Sequence, residues 1–234
     1  MNAPADFTRV DLAVTSLRDF HDTLHALQPG TNQTRWEVIH PRGQHAVAVG
    51  LDAPISVTIE GHVGYYAAGM NQQAHVRING NAGPGVAENM MSGEVWVRGD
   101  ASMAAGATGC GGLLVIEGNA GARCGISMKG IDIVVRGSVG HMSAFMAQEG
   151  NLVVCGDAGD ALGDSLYEAR IYVRGKVASL GADCEEKQMG TEEWAILEGL
   201  LSRAGITDTP PQQFRYYGSA RRLYHFHTDN AQEY

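Results

Sequence analysis

The stretch VRINGNAGPGVAENMMSGE (residues 76–94) decides the fold, because its pattern returns every 19 residues without a gap on both sides of it. Seven units begin at Val57, Val76, Val95, Leu114, Ile133, Leu152 and Ile171. The third position is always Ile or Val (Ile59, Ile78, Val97, Ile116, Val135, Val154, Val173). The fifth is always Gly (Gly61, Gly80, Gly99, Gly118, Gly137, Gly156, Gly175). A fixed period of this size means that a single unit cannot bury its own apolar side and must stack on its neighbours.

Within each unit the apolar residues alternate, as in Ile171-Tyr172-Val173-Arg174, which is the pattern of a strand with one buried face. The seventh position is small (Val63, Ala82, Ala101, Ala120, Val139, Ala158, Val177), a second Gly usually follows it, and the twelfth position is Gly or Ala. A column of Gly predicts a column of corners at positive φ. Most of the 31 Gly fall inside the repeat, and each interior Gly would cost a helix roughly 1 kcal/mol, so helical repeats are excluded. The expected fold is all-β: a right-handed parallel β-helix of seven 19-residue coils with N- and C-terminal helical caps. The right hand is favoured because 19 residues do not divide into the six-residue sides of the left-handed hexapeptide helix. At about 4.8 Å per coil, the rod would be on the order of 30 Å long.

Residues 1–56 are expected to form an N-terminal cap and an irregular first coil, 57–189 the repeat, and 190–234 a capping helix and an extended tail. Ser16 is placed to cap a helix carrying Leu17, Phe20, Leu24 and Leu27 and stopped by Pro29-Gly30. Thr191, Glu192 and Glu193 suit a second helix N-terminus, with Trp194, Leu197, Leu200 and Leu201 as its apolar stripe before Gly205. A β-helix needs such covers, since both tips otherwise expose unpaired strand edges.

The formal net charge of -9 argues against nucleic acid or an anionic membrane as partner, because both demand a basic footprint. No run approaches the length of a membrane span. Cys110, Cys124, Cys155 and Cys184 form no C-x-x-C pair, and the N-terminus lacks the apolar core of a signal peptide, so a reducing cytoplasm is expected.

Residues 19 apart should stack, and the columns therefore carry the functional reading. At the second position, which should face outward, run Thr58, Arg77, Trp96, Val115, Val134, Val153 and Tyr172. Such an apolar stripe exceeds what a soluble surface leaves bare; either a terminal segment of the chain or a partner subunit must cover it. Tyr65, Tyr66, Met70, Met90, Met91, Met128, Met142, Phe145 and Met146 cluster in the later part of the coils, where flexible Met suits either an adaptable interface or core filling. The candidate partner interface is thus Trp96, Val115, Val134, Val153 and Tyr172 together with Tyr65, Tyr66, Met90, Met91 and Met146. The fourth position alternates in sign at Arg98, Glu117 and Arg136, a structural ladder worth about 0.2–1 kcal/mol per pair.

No catalytic, cofactor-binding or metal-binding residue is assigned. Gly80-Asn-Ala-Gly-Pro-Gly85 is followed by another strand, where a dinucleotide fingerprint needs a helix. His62, His75 and His141 fall in different columns, and His225 and His227 are two ligands in a tail. No G-x-S-x-G elbow is present.

The V-x-I-x-G-x-x-G repeat resembles the β-helical "GXGXG" domain at the C-terminal end of the glutamate synthase large chain. Sharper stretches are Pro41-Arg-Gly-Gln-His45, Gly61-His-Val-Gly-Tyr-Tyr66, Gly69-Met-Asn-Gln-Gln73, Glu88-Asn-Met-Met-Ser-Gly93, Gly125-Ile-Ser-Met-Lys-Gly130, Gly137-Ser-Val-Gly-His-Met-Ser-Ala144 and Ser219-Ala-Arg-Arg-Leu-Tyr224. Across nearly the whole chain these resemble the stand-alone form of that domain, the small β-helical subunit of N-methylglutamate synthase. The resemblance implies a hetero-oligomeric transferase of methylamine metabolism, which converts methylamine and L-glutamate to N-methylglutamate and ammonia. It implies two partners, a class II amidotransferase-like subunit and an FMN-binding glutamate synthase-like subunit, with FMN in the partner and no cofactor in this chain. The β-helix would be a non-catalytic scaffold between them. The β-helical subunit of formylmethanofuran dehydrogenase, or of its formyltransferase/hydrolase counterpart, is the nearest alternative. An autonomous β-helix enzyme is the other, and it would need paired carboxylates on adjacent coils; no two consecutive members of the fourth-position column are both acidic.

Overall fold

The 19-residue register is realised strand by strand. In the computed structural model, which describes residues 7–220, β3 (Ser56–Glu60), β4 (His75–Ile78), β5 (Glu94–Val97), β6 (Leu113–Ile116), β7 (Lys129–Val135), β8 (Glu149–Val154) and β9 (Arg170–Val173) pair in parallel order. Val57 lies opposite Val76, Val76 opposite Val95, and so on to Leu152 opposite Ile171. Alternation is the reason. Val57, Ile59, Val76, Ile78, Val95 and Val97 are buried while Thr58, Arg77 and Trp96 point the other way, so a slip of one residue would expose the core.

Two further tracks of hydrogen bonds join the coils. The seventh-position column forms parallel bridges from Val63 through Ala82, Ala101, Ala120, Val139 and Ala158 to Val177. Beside it runs a ladder that the sequence reading had not singled out. The sixth-position side chain of each coil accepts the backbone N–H of the next: His62 Nδ1 from Asn81 at 2.9 Å, Asn81 from Asp100 at 3.0 Å, Asp100 from Asn119 at 2.7 Å, Asn119 from Ser138 at 2.9 Å, Ser138 from Asp157 at 2.9 Å and Asp157 from Lys176 at 2.7 Å. What these side chains share is an acceptor within two bonds of Cβ, close enough to the backbone to reach a neighbouring N–H from a tight corner.

At the twelfth position Gly106 (φ 68), Gly125 (φ 69) and Gly163 (φ 67) take the expected positive φ, but the corner Gly of the fifth position need a different explanation. Apart from Gly61 (φ +137), the fifth-position Gly do not sit at positive φ. They are Gly because backbones touch: a Cβ on Gly118 or Gly137 would lie 2.7 Å from the carbonyl oxygen one coil below. Positive φ falls later in the coil, at the tenth, twelfth and fourteenth positions, for example Tyr66 (φ 59), Ala68 (φ 54) and Met70 (φ 55), or Met142 (φ 53), Ala144 (φ 57) and Met146 (φ 52). Such residues cost roughly 1–2 kcal/mol each in isolation. Inter-coil bonds such as Tyr66 N–H to the Pro84 carbonyl (2.9 Å) and Met70 N–H to the Glu88 carbonyl (2.8 Å) hold them there.

The ends depart further from expectation. Over residues 35–56 the first coil departs from the period: β2 (Arg35–Ile39) pairs with β3 at an offset of 21 in place of 19, Trp36 opposite Val57. Ahead of it β1 (Thr8–Asp11) pairs with β2, a strand the sequence reading missed. Between them α1 (Leu17–His25) starts at Ser16, whose Oγ accepts the Asp19 N–H at 3.1 Å, and buries Phe20 and Leu24 against the rod. At the other end β10 (Cys184–Lys187) precedes α2 (Thr191–Arg203), whose cap is Gly190, with the Glu193 carboxylate accepting the Gly190 N–H at 2.9 Å. The described part of the segment expected as an extended tail makes a 3₁₀ turn (Pro211–Gln213) and β11 (Arg215–Ser219), which inserts antiparallel between β9 and β10. The His225 and His227 reading, and the end of the Ser219–Tyr224 segment, lie outside the described residues.

Candidate partner interface

The outward column of the long sheet divides at Trp96. Over β6–β9 the face is closed by the chain itself. Leu113, Val115, Val134, Val153, Cys155 and Tyr172 form one apolar cluster with Leu197, Leu200 and Leu201 of α2 and with Ala204, Ile206 and Phe214 behind it. Each buried Leu contributes roughly 1.5–3 kcal/mol. Ion pairs fix the edges of the cover: Arg170 with Glu192 at 2.8 Å, Arg203 with Asp132 at 3.0 Å and Arg136 with Asp208 at 2.6 Å. Tyr216 of β11 stacks on Tyr172 with ring centroids 5.4 Å apart. Val115, Val134, Val153 and Tyr172 are therefore no partner surface. Of the two covers considered for this stripe, a terminal segment is the one found.

Over β2–β5 no helix among the described residues covers the same face. Two adjoining depressions of about 360 Å³ each share Ser56 and Thr58; one is lined by His75, Arg77, Glu94 and Trp96, the other by Phe7, Arg35 and Glu37. The Arg77 guanidinium lies 5.3 Å from the Trp96 ring. His75 Nδ1 is 3.4 Å from Glu94, Arg9 pairs with Glu37, and no carboxylate among the described residues pairs with Arg77. Trp96 is half-buried at the edge of the α2 cluster.

A second exposed region lies on the turns. Tyr65, Tyr66, Met70, Met91, Met103 and Met146 are each about half exposed. The Tyr65 ring stacks on His45 at 4.4 Å, and His45 Nδ1 accepts the Tyr65 N–H at 3.0 Å. Met90 and Met128, by contrast, are fully buried, so Met90 is core and not interface. Met103 was missed, although it stands 38 residues beyond Tyr65 in the same column. Phe7, Arg77 and the Ser56 shoulder were also missed as a unit, because a groove between columns is not a property of any one column.

In the fourth-position column Arg98 keeps Glu117 at 3.9 Å and Asn79 Nδ2 donates to Glu60 Oε1 at 2.7 Å, whereas Arg136 turns to Asp208. No group of three or more His, Cys, Asp or Glu among the described residues is disposed to hold a metal. Burial pushes the Cys124 and Cys184 thiols up to about 12 and Cys155 up to about 11, which removes their thiolates at neutral pH; Cys110 is exposed. No helix among the described residues is long and apolar enough to cross a membrane.

Compared with known proteins, the chain is 63% identical over 225 residues to Protein GlxC of Rhizobium meliloti (strain 1021), a match that covers 96% of this chain and 99% of that protein. No family model and no solved structure matches it.

Proposed function

The chain belongs to the family of Protein GlxC, and from that premise we propose that it is the non-catalytic scaffold subunit of an N-methylglutamate synthase-type complex. In this reading it holds a class II amidotransferase-like subunit and an FMN-binding glutamate synthase-like subunit at a fixed distance. The flavin and the chemistry reside on the partners. The observation that supports the scaffold role is a rod of stacked, hydrogen-bonded coils whose surface keeps an uncovered groove and a half-exposed Tyr/Met region. The choice of complex rests on the motif segments from Pro41 to Ala144 and on Ser219–Tyr224.

Stacked hydrogen-bonded coils suit such a role, because each coil is fixed by its neighbours on three tracks and the rod has little freedom to bend. Two active centres mounted on it would stay in register for transfer of a small amine between them. Purification of the tagged chain from its native cells tests this. The expected preparation contains two larger chains and flavin absorbance, and forms N-methylglutamate from methylamine and glutamate, whereas the isolated chain turns over nothing. Turnover by the isolated chain, or co-purification with molybdopterin enzyme subunits, would overturn it.

A further inference from the structure

We propose that the open groove over β2–β5 receives an amphipathic helix of one partner subunit, with apolar side chains against Trp96 and Phe7 and a carboxylate on Arg77. The inference rests on the scaffold reading above and names the surface and the chemistry of one of its contacts.

The chain supplies its own template for the occupant. One sheet face runs without interruption from β2 to β9, and over β6–β9 it is covered by an amphipathic helix. That helix and the segment after it bring leucines to the second-position column and carboxylates to arginines on the face: Glu192 and Glu193 to Arg170, Asp208 to Arg136. The groove offers related chemistry in the second-position column itself, where Arg77 stands beside Trp96, whereas Arg136 and Arg170 flank that column; no helix among the described residues lies on it. Trp96 stands where Val115, Val134 and Val153 stand one, two and three coils later, and Arg77 lies one coil before it.

Size agrees as well. The 13 residues of α2 span about 20 Å, and the strands from β2 to β5 at about 4.8 Å each span about 14 Å, so three turns of helix fill the groove. Charge selects the occupant's sign. The Arg77 guanidinium lies over the Trp96 ring and pairs with no carboxylate among the described residues, while the groove's own Glu94 and Glu37 are taken by His75 and Arg9, in a chain whose net charge is -9. A partner carboxylate there would make a charge-assisted contact at the rim of an aromatic anchor, the composition in which binding energy concentrates.

The test uses the complex co-purified on the tagged full chain, with each partner quantified by mass spectrometry and flavin absorbance. Two variants act differently: Arg77→Glu reverses the charge, and Thr58→Trp fills the groove while leaving Arg77 and Trp96 in place. Both should lower the amount of one partner by roughly tenfold or more, while the other partner stays at wild-type stoichiometry. Arg77→Lys should lose much less. Arg98→Glu, on a different column, should lose neither partner. Thermal unfolding of the isolated variants should stay within about 3 °C of wild type, as expected for surface changes. Retention of both partners by Arg77→Glu and Thr58→Trp overturns the groove proposal and leaves the scaffold reading intact. A wild-type chain that arrives with no partner overturns both. A groove-dependent dimer of this chain alone overturns the partner helix in favour of a second copy.

Discussion

Over β6–β9 and over β2–β5 the molecule presents the same sheet face in the same columns, yet one half is sealed by α2 and the other is left uncovered by the described residues. The difference lies in a few outward residues. Val115, Val134, Val153 and Tyr172 must be covered, and α2 supplies Leu197, Leu200 and Leu201 to do so; Thr58, Arg77, His75 and Glu94 tolerate water. Composition along a single column thus decides where the chain closes on itself and where it leaves room for another molecule.

The largest effect should come from placing one charge in both halves. Val134 is fully buried beneath α2, so Val134→Asp should destabilise by about 3–5 kcal/mol and release α2. Thr58→Asp, four coils earlier in the same column, should change stability by less than about 0.5 kcal/mol. Chemical denaturation of the two variants measures the gap, and equal losses would dissolve the distinction between the halves.

A smaller loss should follow from damage to the rod beneath both. A Cβ on Gly118 would lie 2.7 Å from the Gly99 carbonyl oxygen, and Gly118→Val should cost about 1–3 kcal/mol through overpacking. Retained wild-type stability there would show that the coils are not in close backbone contact.

Thiol labelling sharpens the comparison without a stability change. In the native chain one cysteine, Cys110, should react at neutral pH, and all four should react after unfolding. Cys155 lies under the α2 cover with its thiol pushed up to about 11 by burial, so the Val134→Asp variant should show it as a second native site. Rapid labelling of Cys155 in the wild type would mean that the cover is loose.

The smallest expected effect concerns α1, at the opposite end from α2. Burial holds His21 below its ordinary value of 6.5. Its unfolded form therefore takes up a proton first, and the stability tied to neutral His21 is present above pH 6.5 and declines as pH falls from there toward the lower native value. Denaturation between pH 7.5 and pH 5 should show this slope in the wild type and a shallower one in His21→Gln.

How much of this was legible in the sequence follows from which signals are periodic. The register of β3–β9 was legible because Ile or Val at the third position and Gly at the fifth recur without a gap. The need to cover the outward stripe was legible from the run Val115, Val134, Val153. The identity of the cover was not, since the leucines of α2 mark an amphipathic helix without naming the surface it meets. β1 and β11 escaped because they lie outside the period, and β2 because its offset is 21. The left-handed turn residues were legible only in part: Gly106, Gly125 and Gly163 at positive φ share the twelfth-position column with Ala68, but Met70 and Ser127 at the fourteenth hold positive φ through inter-coil hydrogen bonds in a column without glycine. The groove escaped because Phe7, Ser56, Arg77 and Trp96 come from four separate segments.

Hydroxyl-radical footprinting of the isolated chain and of its native complex tests the central claim most directly, that one sheet face is closed by the chain over β6–β9 and by a partner over β2–β5. Tyr172 and Phe214 should stay unoxidised in both samples, while Trp96 and Phe7 should be oxidised in the isolated chain and protected in the complex. Equal oxidation of Trp96 in the two samples, or oxidation of Tyr172 in the isolated chain, would contradict it.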